Sequence, residues 1–390
     1  MKSKSRTLLF LLYPLLASFV TAAESLKVIS PPEAEIERLS LDPFYKKYCS
    51  ASGVPVVASE RVDDFALLEA AFLINQMIAD RPDIVDALIE GKTRYVIMGH
   101  DEFTVDMPEH SQMRPKIFWN KRARGLGSQD HQPAVSCGAE NLLGYVGDPY
   151  HRENILIHEF AHTIHHQGLS RTDPTFDDRL KSTFERARAR GLWNGKYASN
   201  NRAEYWAEGV QSWFDTNRED DHDHNHVNTR EELIAYDSGL AAMVEEVFGK
   251  PEFRYVKPAE RAEPGHLAGY DPDKAPEFAW PEELVEAYEA YERGGGLPKL
   301  KPLPLEKLEG AKSGDSTERT FLRIRNQTDE PVRIFWIDFE GKRQPKGSIA
   351  PKQDWSQETF ASHLWLLTDE SGEPQQLLET TAEDSQLDLR

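Results

Sequence analysis

The chain has 390 residues, of which 39% are hydrophobic, and its 66 acidic and 46 basic side chains give a formal net charge of −20. This length implies more than one domain, with enough apolar content for a sizeable core. So acidic a surface repels phosphate backbones and argues against nucleic acid as a partner, whereas a cationic or neutral polypeptide suits it.

The N-terminus has the pattern of an export signal over residues 1–23. Three basic residues precede an apolar stretch from residue 8 to 20, and the small residues Thr21, Ala22 and Ala23 follow. This pattern predicts a secreted, periplasmic or cell-envelope protein. The apolar stretch is short for a bilayer and no later one approaches about 20 residues, so we expect no membrane span after signal removal.

The chain contains two cysteines, Cys49 and Cys137. Because export leads to an oxidising compartment, we expect a disulfide between them. Two separate buried thiols are the alternative.

Hydrophobic periodicity predicts the elements of the first third. Residues 24–55 form a polar, partly extended lead-in; helices follow at 59–80 and 83–90, and strands at 94–99 and 117–119. The segment from Gly125 to Tyr145 is our candidate for an edge strand that pairs with an extended substrate backbone, with an ordinary loop as the alternative.

A metal-binding pattern lies in the apolar run 155–164, as His158-Glu159-Phe160-Ala161-His162. On a helix, residues i and i+4 share one face, so both imidazoles can bind one Zn²⁺ while Glu159 reaches its water as general base. Asp148-Pro149 and Gly168 bound this helix, and an exposed face with a few polar residues is the alternative. His166 lies eight residues beyond His158, roughly 12 Å along a helix, which is too far for the same ion.

A second motif follows a charged helix at 175–191. Tyr197 precedes a helix on which Glu204 and Glu208 share one face opposite to aromatic residues. A carboxylate from a second helix completes a His₂Glu site with an open fourth position, so we predict Glu204 as the third ligand and Glu208 as the group that orients a ligand histidine. Two solvated glutamates are the alternative.

The two motifs together resemble the gluzincin metallopeptidases of the lethal-factor type, whose pattern is H-E-F-G-H followed by Y-x₆-E-F-F-A-E. The resemblance covers about residues 150–215 and implies zinc ligands at His158, His162 and Glu204, a base at Glu159 and a transition-state hydrogen-bond donor at Tyr197. No similarity to lethal factor extends beyond these motifs, so its substrates are not implied here.

The tract after the site places His222, His224 and His226 at alternate positions. On an extended segment they would point the same way and could hold a second metal, with a solvated acidic loop as the alternative. Helices are predicted at 230–248 and 281–293, and a Gly- and Pro-rich linker at 294–317.

Beyond the linker the period changes to two, with β runs at 321–325, 332–339 and 363–368 that predict a small antiparallel sandwich. Residues 318–373 resemble the β domain of the von Hippel-Lindau protein, which uses two tryptophans, a histidine, a serine and a tyrosine to bind hydroxyproline in a partner. Trp336, His363 and Trp365 match this pocket, whereas Thr359 and Lys346 replace the serine and the tyrosine. Both tryptophans as core residues are the alternative.

These observations predict an α+β zincin-like catalytic domain at 24–293, mainly helical with a small mixed sheet, then the linker and an all-β sandwich at 318–390. We expect an exported peptidase with one catalytic Zn²⁺, a polypeptide substrate and an accessory module with a protein partner. A non-catalytic zinc-containing protein that acts through the sandwich is the competing hypothesis.

Overall fold

The computed structural model describes residues 26–129 and 132–390. The predicted signal at 1–23 lies outside the described residues. The numbered helices of the described chain are α1 Glu33–Leu39, α2 Asp64–Ile78, α3 Pro82–Glu90, α4 Lys116–Arg122, α5 Ala139–Leu143, α6 Ile155–Thr163, α7 Ser170–Thr172, α8 Phe176–Ala189, α9 Arg202–Trp213, α10 Arg230–Tyr236, α11 Ser238–Phe248 and α12 Glu282–Glu292. A π-helix, Ile164–Leu169, continues α6 directly.

A five-stranded mixed sheet lies beside these helices, in the order β1-β2-β3-β5-β4. Its strands are β1 Lys47–Ala51, β2 Val54–Ala58, β3 Arg94–Met98, β4 Gly125–Leu126 and β5 Ala134–Gly138. β2, β3 and β5 run parallel, while β1 and β4 pair antiparallel to their neighbours. The short strand β4 therefore forms one end of the sheet.

The main hydrophobic core lies between one face of this sheet and the helices. Tyr95, Ile97 and Val135 on the strands pack in the same cluster as Phe160 of α6 and Trp206 of α9. The opposite face packs a smaller cluster against α1 and the segment near Met107. Both faces of the central strands are covered, which explains their nearly continuous apolar sequence.

The C-terminal region is an all-β sandwich. One sheet has the order β11-β10-β7-β8 and the other β12-β6-β9, with bounds β6 Arg319–Asn326, β7 Val332–Ile337, β8 Arg343–Ile349, β9 Asp354–Phe360, β10 Leu364–Thr368, β11 Pro374–Glu379 and β12 Ser385–Leu389. The four-stranded sheet is antiparallel throughout, but β12 pairs parallel to β6. The segment predicted as a linker packs along the sandwich, because the Leu300 and Leu303 amides donate to the Gln386 and Leu377 carbonyls.

Several sequence-based element assignments are wrong. Residues 117–119 belong to helix α4 rather than a strand, and the lead-in at 24–55 contains α1, β1 and the start of β2. Residues 139–143 form the short helix α5, so the edge strand next to α6 is β4 alone. The apolar run of 117–119 was too short for its period to distinguish a strand from a helix.

The predicted disulfide does not form, since Cys49 and Cys137 are free, buried thiols. Cys49 lies on β1 and Cys137 on β5, and two strands separate them in the sheet. Three strand spacings of about 4.8 Å amount to roughly 14 Å, whereas a disulfide requires Cβ atoms about 4 Å apart.

Within the described residues, no helix is both long and apolar enough to cross a bilayer.

Candidate functional site

Helix α6 presents His158 and His162 toward α9. The Asn154 side chain caps its first turn by accepting from the Ile157 amide, and Asn141 Oδ1 accepts from the Ile155 amide at 2.7 Å. These bonds satisfy amides that a helix start leaves without partners. They fix the position from which the first histidine projects.

Helix α9 brings Glu204 to the same point. Asn201 caps its first turn, with Oδ1 accepting from the amides of Ala203 and Glu204 at 2.9 and 3.0 Å. Further along, the Trp206 indole donates to the carbonyl of Ala161 at 2.9 Å and ties α9 to the middle of α6. The two helices therefore hold their polar faces in a fixed relation.

His158, His162 and Glu204 converge on one point. The two Nε2 atoms are 3.2 Å apart, and Glu204 Oε2 lies 3.2 Å from that of His158 and 3.3 Å from that of His162. Bonds of about 2.05 Å to a tetrahedral Zn²⁺ would place ligand atoms about 3.3 Å apart. The separations therefore fit a shared tetrahedral cation with one position left open.

Gln211 fixes the orientation of His158. Its Oε1 accepts from His158 Nδ1 at 2.7 Å, while its Nε2 donates to Glu153 Oε2 at 3.1 Å and to the Asn154 carbonyl. The two acceptors around Nε2 determine the amide orientation, so His158 Nδ1 carries the hydrogen. In a neutral ring, this leaves the Nε2 lone pair pointing at the cluster, as a metal ligand requires.

The electrostatic environment favours a cation at this point. Burial alone would lower the pKa of His158, but the hydrogen bond to Glu204 and the charges of Glu159 and Glu208 raise it to about 10. Burial raises the pKa of Glu204, yet its hydrogen bonds to both histidines outweigh this and hold it well below the ordinary value. The carboxylates thus stabilise positive charge between the imidazoles, from protons or from a metal ion.

Glu208 lies behind the ligands, one turn beyond Glu204. We predicted that Glu208 orients a ligand histidine, but its Oε1 is 3.8 Å from His158 Nδ1, and the hydrogen bond to that atom comes from Gln211. Glu208 Oε2 instead accepts from Asn217 at 3.0 Å and lies 3.3 Å from His224 Nε2. Gln211 is seven residues beyond Glu204, which is again the same helix face, and that spacing could have identified it.

The three alternate histidines separate in space. His224 is buried against Glu208 and Asp221, whereas His222 and His226 are exposed. Within residues 26–129 and 132–390, no second trio of ligand atoms converges as the first one does. His165 bonds Asp177 at 3.2 Å and does not join the ligand cluster.

Glu159 and Tyr197 line a cleft of about 260 Å³ beside the cluster. Burial raises the pKa of Glu159, against the opposing effect of the two imidazoles. The Tyr197 ring centroid lies 6.4 Å from that of His158. Burial, with the charges of Glu204 and Glu159, raises the pKa of Tyr197, so its hydroxyl stays protonated and can donate.

Strand β4 passes close over the same face of α6, and glycines permit the approach. A Cβ at Gly125 would lie 2.3 Å from Ile155 Cγ2, and one at Gly127 would lie 3.0 Å from His162 Cβ and 3.2 Å from Glu159 Oε2. β4 pairs with β5 on one side, and Gly125 lines the cleft. The outer edge of β4 therefore offers backbone groups beside Glu159.

The sandwich has an aromatic cluster around His363. Its ring centroid lies 5.3 Å from that of Trp336 and 5.6 Å from that of the exposed Phe339, and Thr359 Oγ1 is 2.9 Å from its Nδ1. Trp336 is half-buried, whereas Trp365 is 2% exposed and packs in the core. Trp336 and Phe339 therefore remain candidates for a binding surface, with the buried His363 beneath them, while Trp365 contributes mainly to packing.

The comparison with protein families found a match in the C-terminal sandwich. The VHL beta domain family model matches residues 312–383, and the search of curated proteins gave no match. The resemblance of the motifs at 158–208 to gluzincin peptidases receives no support from the family comparison. The C-terminal module of this chain is therefore a VHL-like beta domain.

Proposed function

We propose that this chain is an exported zinc metallopeptidase that hydrolyses peptide bonds. The observation that carries the proposal is the convergence of His158, His162 and Glu204 at separations of 3.2 to 3.3 Å, with Glu159 half-buried beside them. Two imidazoles and one carboxylate with an open position are the donor set of catalytic rather than structural zinc.

The roles of the residues follow from their places in the cleft. Zn²⁺ held there would lower the pKa of its water toward about 7 and polarise the scissile carbonyl. Glu159, whose pKa is raised by burial, takes the proton from the attacking water and passes it to the leaving amine. Tyr197 keeps its hydroxyl proton and donates a hydrogen bond to the developing oxyanion.

Strand β4 supplies the substrate platform in this proposal. An extended peptide that adds to its outer edge would lie along the face of α6 that carries Glu159. Because this pairing uses the main-chain groups of the substrate, it tolerates different substrate side chains.

The VHL-like module is proposed to bind a protein partner through the surface formed by Trp336 and Phe339, which pack on the buried His363. Lys346 lies over Trp336, with Nζ 5.6 Å from the ring centroid, where the resemblance expects a tyrosine. This difference argues against carrying hydroxyproline recognition over to this chain.

The decisive experiment combines a zinc determination with a general peptide-cleavage assay on the mature chain. We expect one zinc per chain, cleavage that a chelator abolishes and added Zn²⁺ restores, and in Glu159→Gln full zinc content with turnover at least about 100-fold lower. Zinc without cleavage in the unmodified chain would instead favour the non-catalytic binding protein. Cleavage by Glu159→Gln at the original rate would remove Glu159 from the mechanism.

A further inference from the structure

The cleft extends from the ligand cluster toward the start of α6. Its lining includes His158 and Glu159 and continues to Ile155, one turn earlier on the helix. For a peptide whose scissile bond lies at the ligand cluster, the cleft therefore binds the residues on one side of that bond only.

The direction of β4 indicates which half this is. Gly125 lies over Ile155 and Gly127 over His162, so β4 and α6 run the same way. A peptide that pairs antiparallel with β4, the slightly more stable arrangement, runs in the opposite direction. Its N-terminal half then lies near Gly127, and the residues after the scissile bond enter the cleft.

Arg122 lines this cleft and is exposed, and within the part of the chain that the structure describes it makes no ion pair. Its guanidinium lies at the edge of the cleft over the ring of Phe118, with the guanidinium carbon 6.0 Å from the ring centroid. The other two arginines of the lining are neutralised, since Arg124 bonds Glu140 at 2.6 Å and Arg218 lies 3.3 to 3.6 Å from acidic oxygens. Arg122 is therefore the arginine of this lining that has no carboxylate partner within the described residues.

Apart from the proposed base Glu159, the acidic groups of the cleft already have partners within the protein. Glu153 and Asp223 face Arg218, and Glu208 faces Asn217 and His224. A cationic substrate group would have to displace these partners, whereas a carboxylate can pair with the Arg122 guanidinium, which has no carboxylate partner of its own in the described chain.

We propose that Arg122 selects a carboxylate on the leaving-group side of the scissile bond, either an acidic side chain or a free C-terminal carboxylate. This inference rests on the proposed peptidase function and specifies its substrate class. Arg122 would contact substrate and determine specificity, without taking part in the chemical step.

The test uses a peptide library whose cut sites are identified by mass spectrometry, followed by sets of single peptides. Each set carries Glu, Gln or Lys at the first or second position after the cut, with a free or an amidated C-terminus. We expect kcat/KM to be roughly 10-fold higher for Glu than for Lys, and Arg122→Glu to reverse this order. Loss of the preference on amidation alone would identify the terminal carboxylate as the source.

Lys121→Glu is the matched control. It makes the same charge change one residue away, but Lys121 does not line the cleft, and its Nζ lies over the ring of Trp280, 4.6 Å from the centroid. We expect it to leave the substrate order unchanged. The same reversal in both variants would assign the preference to long-range charge and overturn the inference.

A binding measurement separates this inference from the proposed function. Affinity of the peptides for Glu159→Gln, with and without Arg122→Glu, can be followed by fluorescence anisotropy without turnover. Cleavage that ignores substrate charge overturns the role of Arg122 and leaves the peptidase intact. If no peptide is cleaved, charge-dependent binding still supports Arg122 as a carboxylate site, and charge-independent binding overturns it.

Discussion

At the scale of single residues, the spacing of the two motifs carried most of the information about the site. Helical geometry sufficed to place His158 and His162 on one face, and the second motif identified Glu204 as a candidate partner. The spacing places Gln211 on the same helix face as Glu204 and Glu208, but sequence alone could not decide which of Glu208 and Gln211 bonds His158, because that depends on how α6 and α9 cross. The cysteine pairing failed for a similar reason, since strand order is not written in local sequence.

Gln211 provides a test of the residue network. Gln211→Leu removes the acceptor at His158 Nδ1 while keeping a similar volume, so the ring loses its fixed orientation and tautomer. We expect zinc affinity to fall roughly 10- to 100-fold in competition with a chromogenic chelator. Gln167→Leu is the control, because Gln167 is equally buried but bonds the Gln129 carbonyl. An equal loss in both variants would assign the effect to general destabilisation.

At the scale of elements, the strongly periodic segments were predicted well and the short ones were not. The helices at 82–90 and 282–292 match their predicted bounds to within one residue at each end, and the helix at 64–78 lies inside the predicted span of 59–80. Residues 117–119, predicted as a strand, belong to a helix instead. The expected helix at 230–248 divides at Asp237, whose side chain caps α11 by accepting from the Leu240 amide. Local pattern thus identified the elements more reliably than their ends.

The close contact of β4 with α6 can be tested through Gly125. Gly125→Ala places a methyl group 2.3 Å from Ile155 Cγ2, so β4 must move away from Glu159. We expect the free energy of unfolding to fall by about 1–3 kcal/mol, and peptide cleavage to fall with it. Urea denaturation and kcat/KM measure the two effects.

Ile155→Ala supplies the companion variant, because it removes the Cγ2 atom that the new methyl group would meet. In the double variant, Gly125→Ala should cost less than it does alone, with a coupling energy of roughly 0.5–3 kcal/mol. Strictly additive losses would mean that the two elements do not meet as described.

At the scale of the whole molecule, the sandwich docks on the segment that leads into β4. Asp384 Oδ2 accepts from the Lys116 amide at 2.8 Å and so caps α4, while Arg114 Nε donates to the Arg319 carbonyl at 2.9 Å. Arg323 lies over Tyr291 of α12, with its guanidinium carbon 3.9 Å from the ring centroid. No local pattern in the sequence predicted this contact, because it joins residues far apart along the chain.

Asp384 is the residue through which this docking can be tested. Asp384→Ala removes the cap on α4 and leaves the buried Arg114 guanidinium without its carboxylate, which lies 3.5 Å away. We expect the free energy of unfolding to fall by about 2 kcal/mol in urea titrations, and cleavage to weaken because α4 leads into β4. Glu358→Ala is the control, since its pair with Arg319 is half-exposed at 3.9 Å and should contribute less than about 0.5 kcal/mol. Equal stabilities of the two variants would show that the sandwich is attached to the helical domain without bracing the strand beside the cleft.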